Sequence, residues 1–245
     1  MILVVPCYNE ERRLDPKAFL DFVDRVPKAQ VLFVDDGSKD GTRDVLAKMQ
    51  RGREGRVDVL ALEKNGGKAE AVRRGMERAL SRPADYVGYW DADLACPLDE
   101  SRDFAALMNA RRDVDIVFGS RVVLMGRTVK RNPARHYFGR VFATAVSLLL
   151  DLPIYDTQCG HKLFRVTPLL QRVFAEPFVT NWVFDVEILA RFLTMDPLGR
   201  EHVRASLVEV PLQQWIDVAG SKVKPSDAVR AMGELWAIRK RYFAR

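Results

Sequence analysis

The chain has 245 residues, 48% hydrophobic and 29% charged, with 39 basic against 33 acidic side chains and a net charge of +6. That composition excludes a disordered or fibrous protein and is sufficient for one large core. The positive balance favours anionic partners, among them nucleotide phosphates, anionic lipid and nucleic acid.

The first apolar run, residues 2–5, predicts a strand that leads directly into "PCYNEE". It leaves no basic leader and no cleavage site, so no targeting segment is expected. A helix is expected over 16–26, a strand over 31–34 followed by "DDGSKDGT", and a helix over 42–50. The next strand, 57–62, ends in "KNGGK", and a helix follows over 68–80. A fourth strand, 86–90, runs into "DADLACP", with a helix over 98–112 and a fifth strand, 115–118, ending in "GSR". Near-continuous apolar strands separated by helices predict a mostly parallel sheet covered on both faces. Ligands of such sheets bind beyond the carboxyl ends of the strands. The polar clusters follow the strands, whereas ordinary turn chemistry would decorate both ends alike.

Beyond Gly119 the character changes. Between Ile116 and Leu150 lie six Lys and Arg residues and no Asp or Glu, and the stretch closes on "VFATAVSLLL". A bilayer crossing needs about 20 apolar residues, so no span is expected. The basic cluster followed by the apolar run reads equally as an interfacial helix or as a core helix with a solvated basic end. Later come "DTQCGHKLFR", a helix over 182–194, a strand over 207–215, and a final helix over 226–243 with Ser226 placed to cap it. Val229, Met232, Leu235 and Trp236 share one face of that helix, and Phe178, Trp182, Trp215 and Trp236 are expected in the core. One domain is expected, with residues 1–120 and 121–245 as its two halves. Cys7, Cys96 and Cys159 are odd in number and widely spaced, which fits buried thiols better than disulfides. No C-x-x-C accompanies His161, so zinc is not expected. Nucleic-acid binding is not expected either, because no recognised module or aromatic platform goes with the basic cluster.

The polar clusters suggest chemistry of unequal specificity. Asp35 and Asp36 fit an Asx-type turn, or carboxylates accepting from a base N–H or a ribose hydroxyl. "KNGGK" allows close backbone approach, with Lys64 and Lys68 to meet phosphate. It is neither a Walker A sequence nor a dinucleotide fingerprint. Asp91 and Asp93, two apart at a strand end, share a face and can converge on one cation. Alone, a D-x-D reads as a solvated strand end. As the fourth of five clusters at one sheet edge it becomes a candidate Mg²⁺ or Mn²⁺ clamp on a diphosphate.

In order, "VVPCYNEE", "FVDDGSKDGT", "NGGKAEAVRRGM", "WDADLACP" and "FGSR" resemble the motifs of family 2 inverting glycosyltransferases, which have the glycosyltransferase-A fold. The segments "DTQCGHKLF", "NWVFDVEIL" and "VAGSKV" look most like dolichyl-phosphate β-glucosyltransferases, relatives of dolichyl-phosphate mannose synthases. The resemblance implies a Rossmann-like α/β sheet with helices on both faces and a C-terminal amphipathic helix. It implies that Pro6, Tyr8, Glu10, Asp35, Asp36, Gly67, Lys68 and Ala92 line the nucleotide-sugar site, with Asp91 and Asp93 at the donor and its metal. Asp93 is the more direct ligand of the pair, and Lys222 closes over the diphosphate. Arg121, with Arg131 and Arg135, faces the acceptor phosphate. Asp156 and Asp185 are candidate acids near the sugar, or else members of structural salt bridges or caps.

Ala95 stands where mannose synthases often carry a glutamine ligand, which tilts the expected donor from GDP-mannose towards UDP-glucose. His161 stands where the glucosyl relatives usually have phenylalanine. The expected reaction is inverting transfer of a hexose to a polyprenyl phosphate by a peripheral protein at the cytoplasmic face of a membrane. A GDP-mannose enzyme, a transferase with a soluble acceptor, and a silent nucleotide-sugar-binding protein are the rival readings.

Overall fold

The computed structural model describes residues 1–130, 133–216 and 226–244, with 130, 133–138 and 226–229 described by backbone only. In chain order the elements are β1 (Ile2–Cys7), α1 (Pro16–Arg25), β2 (Gln30–Asp35), α2 (Thr42–Gln50), β3 (Val57–Ala61) and α3 (Lys68–Leu80). Then come β4 (Tyr86–Trp90), α4 (Glu100–Ala110), β5 (Ile116–Ser120), β6 (Thr128–Lys130), α5 (Pro133–Leu150) and β7 (His161–Arg165). The remainder is α6 (Pro168–Ala175), α7 (Phe184–Met195), α8 (Arg200–Ser206), β8 (Leu207–Pro211), β9 (Gln214–Ile216) and α9 (Ser226–Ile238). A π-helical turn, Arg239–Phe243, continues α9.

The main sheet runs β3-β2-β1-β4-β7-β5-β8, and β6 pairs with β9 in a small second sheet. All neighbours in the main sheet are parallel except β7, which is antiparallel to both β4 and β5. Strand order therefore reverses beside β1, where β1 lies between β2 and β4. The crevice beyond that point is where open α/β sheets bind ligands.

Period-two alternation divides the core into two layers. Ile2, Val4, Leu32 and Val34 face a layer that includes Val72 and Met76 of α3 and Ile188 and Leu189 of α7. Leu3, Val5, Val31 and Phe33 face Phe19 and Phe22 of α1 and Phe104 of α4. The first layer is tight: a Cβ on Gly75 of α3 would lie 2.3 Å from Val4 Cγ1 and 2.7 Å from Val34 Cγ2. Helix starts follow side-chain chemistry, with Asp15 accepting from Ala18 N–H and Thr167 from Leu170 N–H. The three cysteines are buried and free, as expected.

Three expectations need correction, and the segment 161–165 had no assignment. The segment 161–165 is a strand, inserted antiparallel so that Trp90 lies opposite His161. The expected strand 207–215 is two strands in different sheets, because β8 follows β5 whereas β9 leaves to pair with β6. Among the described side chains of α9, Ala231, Leu235 and Ile238 are buried, while Met232 and Trp236 are exposed. Trp236 therefore lies outside the core, its ring covered from one side by Lys240 Nζ 5.4 Å from the centroid. Finally, α5 is neither wholly core nor wholly interfacial: Val146 and Leu150 are buried, and Val141 and Leu148 face outward. The Ser226 cap falls on a side chain outside those described.

Candidate active site

The clusters that follow β1 to β5 meet at the carboxyl edge of the sheet, and hydrogen bonds and ion pairs tie the first four to one another. Asp36, just past the end of β2, accepts backbone N–H groups at both oxygens, from Gly66 at 2.7 Å and Gly67 at 2.9 Å. The second polar cluster is thereby fastened to the third. Gly37 takes a positive φ of 65°, and a Cβ there would meet the Asn65 backbone at 2.7 Å. Burial, only partly offset by these N–H donors, raises the Asp36 carboxyl above its usual range. Asp35 is fully buried and accepts from Ser38 N–H and from Arg43 Nε, each at 3.0 Å. The two acids form the framework of the loop. Pro6 lies within β1, and Tyr8 lies half-buried just past the strand's end. The Glu10 N–H donates to Thr42 Oγ1 at 2.8 Å, joining the first cluster to the start of α2.

Asp91 and Asp93 follow β4. Lys68, the first residue of α3, sets its Nζ 2.5 Å from Asp91 Oδ1. Burial alone would raise the Asp91 carboxyl, but the Lys68 charge overrides it and holds the group below its ordinary range. Asp93 accepts from Ala95 N–H at 3.2 Å and from Arg13 Nη2 at 3.3 Å. Burial and the Asp91 charge raise the Asp93 carboxyl. Between Asp93 and Ala95, Leu94 takes a left-handed backbone with φ of 51°, a conformation uncommon for a branched residue and concentrated at functional sites. Gly160 approaches from β7's start: a Cβ there would lie 2.1 Å from Asp91 Oδ2.

Whether a divalent ion fits can be judged from these carboxylates. No group of three His, Cys, Asp or Glu residues that could hold a metal occurs among the described residues. An all-protein cage is therefore not what this edge offers. Two adjacent carboxylates, one with its pKa raised by the other, do suit an ion that completes its shell with water and substrate phosphate.

The two other candidate acids are held in ion pairs. Asp156 receives Arg121 in a two-point contact, Nε at 2.6 Å and Nη2 at 2.7 Å, and also accepts the Arg121 N–H at 3.2 Å. The Arg121 guanidinium lies 4.9 Å from the Trp215 ring centroid, and burial is outweighed by Asp156 so that its pKa is raised. Glu209 of β8 supports this pair from behind, accepting the N–H groups of Tyr155 at 2.8 Å and Asp156 at 2.6 Å. Asp185, on the first turn of α7, accepts from the Tyr89 hydroxyl and from buried Lys162 Nζ at 2.5 Å. Lys162 also donates to the carbonyls of Thr157 at 2.9 Å and Cys159 at 2.6 Å. Asp185 thereby fixes the 157–159 backbone beneath the site.

Beside Arg121 is a cavity of about 50 Å³ whose lining includes Arg140, Tyr155, Thr157 and Gln158. The Arg140 guanidinium lies 3.7 Å from the Tyr155 ring centroid. Arg140 Nη1, Thr157 Oγ1 and Gln158 Nε2, on three of the residues that line it, are buried, and none has a hydrogen-bond partner among the described residues. Buried donors without partners are costly, roughly 1–3 kcal/mol each, and three around one cavity suit an anion.

Of the sequence candidates, the edge gathers Pro6, Tyr8, Glu10, Asp35, Asp36, Gly67, Lys68, Asp91, Ala92 and Asp93, with the Arg121–Asp156 pair nearby. Arg131 and Lys222 lie outside the described residues, as does the side chain of Arg135. Arg13, Thr157, Gln158, Gly160 and Lys162 had no assigned place in the sequence, and Arg140 had only its place in the basic cluster. Four of these lie within or next to "DTQCGHKLF", so that segment carried the available signal.

The profile described as "Glycosyl transferase family 2" matches residues 2–172. The chain is 31% identical to the dolichyl-phosphate beta-glucosyltransferase of Dictyostelium discoideum, over 98% of this chain and 74% of that protein. For the human protein of that name the identity is 32%, over 98% and 75%. For the Drosophila melanogaster one it is 33%, over 98% and 74%. Among solved structures, M. tuberculosis glucosyl-3-phosphoglycerate synthase gives a TM-score of 0.66 at 15% identity, covering 100% of this chain and 81% of that one. The same synthase in complex with Mn²⁺ and UDP-Glc also gives 0.66, at 16% identity, covering 100% and 79%. These structural likenesses establish the fold, which is of the glycosyltransferase-A type. The profile and the relatives together place the chain in glycosyl transferase family 2, and it is a glycosyltransferase.

Proposed function

We propose that this protein transfers glucose from UDP-glucose to a polyprenyl phosphate, with inversion, giving a β-linked lipid-phosphate sugar. The observation that carries the reading is the cavity beside Arg121, with three buried donors pointing to an anionic guest. The names of the relatives supply the chemical class, a dolichyl phosphate acceptor and a β-glucosyl product. A phosphate monoester has its second pKa at about 6 and is largely ionised near neutral pH. It is already a nucleophile, so no strong general base is required. That agrees with Asp156 and Asp185 being held by Arg121 and Lys162 rather than standing free to take a proton. Their role here is positioning.

In this reading Pro6, Tyr8, Glu10, Asp35 and Asp36 shape the nucleotide end of the crevice. Gly67, Lys68 and Ala92 border the diphosphate, and Lys222 of the C-terminal segment joins them. Arg121, Arg140, Thr157 and Gln158 take the acceptor phosphate, with Arg131 and Arg135 contributing from the same basic stretch. Asp93, helped by Asp91, would hold Mg²⁺ or Mn²⁺, which when bound would supply positive charge to offset that on the departing nucleotide. Residues 1–120 and 121–245 act as one domain. No helix among the described residues is long and apolar enough to cross a membrane. A lipid acceptor then places the chain against the membrane surface, at the cytoplasmic face, where the nucleotide sugar is supplied.

The test incubates the purified chain with Mg²⁺ or Mn²⁺, a panel of sugar nucleotides and a short polyprenyl phosphate, and looks for sugar-labelled lipid. UDP-glucose is expected to label it best, and chelation of the metal to abolish transfer. Transfer only from GDP-mannose, or only to a water-soluble acceptor, would overturn the substrate assignment. Binding of nucleotide without turnover would indicate a silent protein. Asp93→Ala is expected to lose at least a hundredfold in kcat, and full metal-dependent activity in that variant would refute the metal assignment.

A further inference from the structure

Residues 179–183 lead into α7 without regular structure, and the N–H groups of all five end on two carboxylates. Glu187 of α7 takes the first two, from Val179 at 3.1 Å and Thr180 at 2.9 Å. One oxygen of Glu234, Oε2, takes the other three, from Asn181 at 3.2 Å, Trp182 at 2.8 Å and Val183 at 3.0 Å. Glu187 is fully buried and is held by Arg191 Nη2 at 2.9 Å and by the Tyr242 hydroxyl at 2.8 Å, the latter from the π-helical turn. Glu234 belongs to α9, and its other oxygen lies 3.3 Å from Arg230 Nε.

Val183 is the N-cap of α7. A helix leaves its first N–H groups without partners, and an Asp, Asn, Ser or Thr at the N-cap ordinarily supplies an oxygen for them. Valine has no such oxygen. Glu234 instead sets a carboxylate against the three N–H groups that enter the helix, with its negative charge at the positive end of the helix dipole. The start of α7 is thus fixed from α9, 51 residues away.

That start carries Asp185. Asp185 accepts from the Tyr89 hydroxyl and from Lys162, and Lys162 holds the carbonyls of Thr157 and Cys159. Thr157 and Gln158 line the cavity beside Arg121. A continuous chain of contacts therefore runs from Glu234 through the 181–183 backbone, Asp185 and Lys162 to the 157–159 backbone. Packing of α9 does not require it, because Ala231, Leu235 and Ile238 already bury that helix's apolar face.

We propose that Glu234 is a positioning residue for the transfer: from α9 it sets the first turn of α7, and through Asp185 and Lys162 it sets the 157–159 side of the cavity. Its effect on acceptor binding rests on the lipid-phosphate reading given above.

The test compares Glu234→Ala, Glu234→Gln and Leu235→Ala at a temperature where melting curves show the variants folded. Glu234→Ala is expected to raise the acceptor KM about tenfold, from the lost hydrogen bonds, with the donor KM unchanged. Glu234→Gln keeps an oxygen for the N–H groups and should restore most of that loss. Leu235→Ala thins the buried face of the same helix and should leave both KM values near wild type. Hydrogen–deuterium exchange without substrate should quicken about tenfold in Glu234→Ala over 179–183 and over 155–160 alike, and over 155–160 not at all in Leu235→Ala. If Glu234→Ala does not fold, Glu234→Asp, which withdraws the carboxylate by one methylene, takes its place with the same expectations. Exchange that quickens over 179–183 alone would overturn the proposal, since the loop would then move without the site. So would an acceptor KM raised equally by Leu235→Ala, since α9 would then act only by holding the fold. Exchange needs no turnover, so an absence of transfer to any lipid phosphate refutes the acceptor assignment and leaves the positioning result standing.

Discussion

Replacing His161 by phenylalanine should stabilise the fold, and by more in acid than at neutral pH. His161 is fully buried on β7, its ring 4.7 Å from that of Trp90 and 5.4 Å from that of Trp215, both edge-on. Nδ1 faces Cys159 Sγ at 3.4 Å, and Nε2 has no hydrogen-bond partner among the described residues. Leaving that nitrogen unsatisfied costs roughly 1–3 kcal/mol. Phenylalanine removes the cost and keeps the edge-on packing, against a smaller overpacking penalty for a slightly larger ring. The net gain near pH 7.5 should be about 1 kcal/mol.

Acid separates this account from a packing effect. Burial, against the pull of Asp91, lowers the His161 pKa from 6.5 to about 3. Between those values the unfolded chain binds a proton that the folded chain does not, so wild-type stability falls as pH drops below 6.5. The loss is about 1.4 kcal/mol per pH unit, or about 3 kcal/mol by about pH 4.5. The variant carries no such proton, and all other titrating groups are common to both proteins. Its advantage should grow from about 1 to about 4 kcal/mol. Urea unfolding at the two pH values reads this as a widening of the midpoint difference by about 1 M. An advantage that stays constant between the two conditions would show that His161 is not held neutral, and the reasoning would fail.

Three further predictions address the site and its support. Gly160→Ala should lower kcat at least a hundredfold while leaving the melting temperature within a few degrees, because its Cβ would displace the Asp91 carboxylate; unchanged kcat refutes the contact. Asp156→Asn should raise the acceptor KM at least tenfold with the donor KM unchanged, since Arg121 loses its charged partner; an equal rise in both would mean the pair supports the whole site. Gly75→Ala should destabilise the fold by about 1–3 kcal/mol, measured by urea unfolding, as α3 is pushed off Val4 and Val34; a neutral effect would mean that the helix can shift freely.

The carboxyl edge was legible in the sequence for a specific reason. β1, β2 and β4 are nearly or wholly buried, and polar punctuation follows them at the one edge where ligands bind. What followed Gly119 was harder to read. β7 is a strand only because β4 and β5 flank it, through pairs such as Tyr86–Arg165 that lie far apart in sequence. Its local composition, "HKLFR" after "DTQCG", reads as a polar cluster. Trp236 was misplaced for a similar reason. Helical spacing puts apolar residues on one stripe, but α7 takes the stripe of Ala231, Leu235 and Ile238, leaving Trp236 to solvent.

The roles of the acids were illegible for a deeper reason. Asp91, Asp93, Asp156 and Asp185 each have a cation, and the cations come from elsewhere in the chain: Lys68 for Asp91, Arg13 for Asp93, Arg121 for Asp156, Lys162 for Asp185. A sequence displays the acids because they cluster in motifs, whereas the cations are scattered over different elements. The pairing also decides how the acids should be probed. Removing one member of a buried pair strands the other, at a cost of about 3–5 kcal/mol, so loss of activity in an alanine variant of Asp185 would report a stranded Lys162 before it reported any chemistry. Asp185→Asn keeps an acceptor for the Lys162 and Tyr89 donors and leaves only the Lys162 charge uncompensated, so activity retained in that variant would assign Asp185 to positioning the 157–159 backbone rather than to proton transfer.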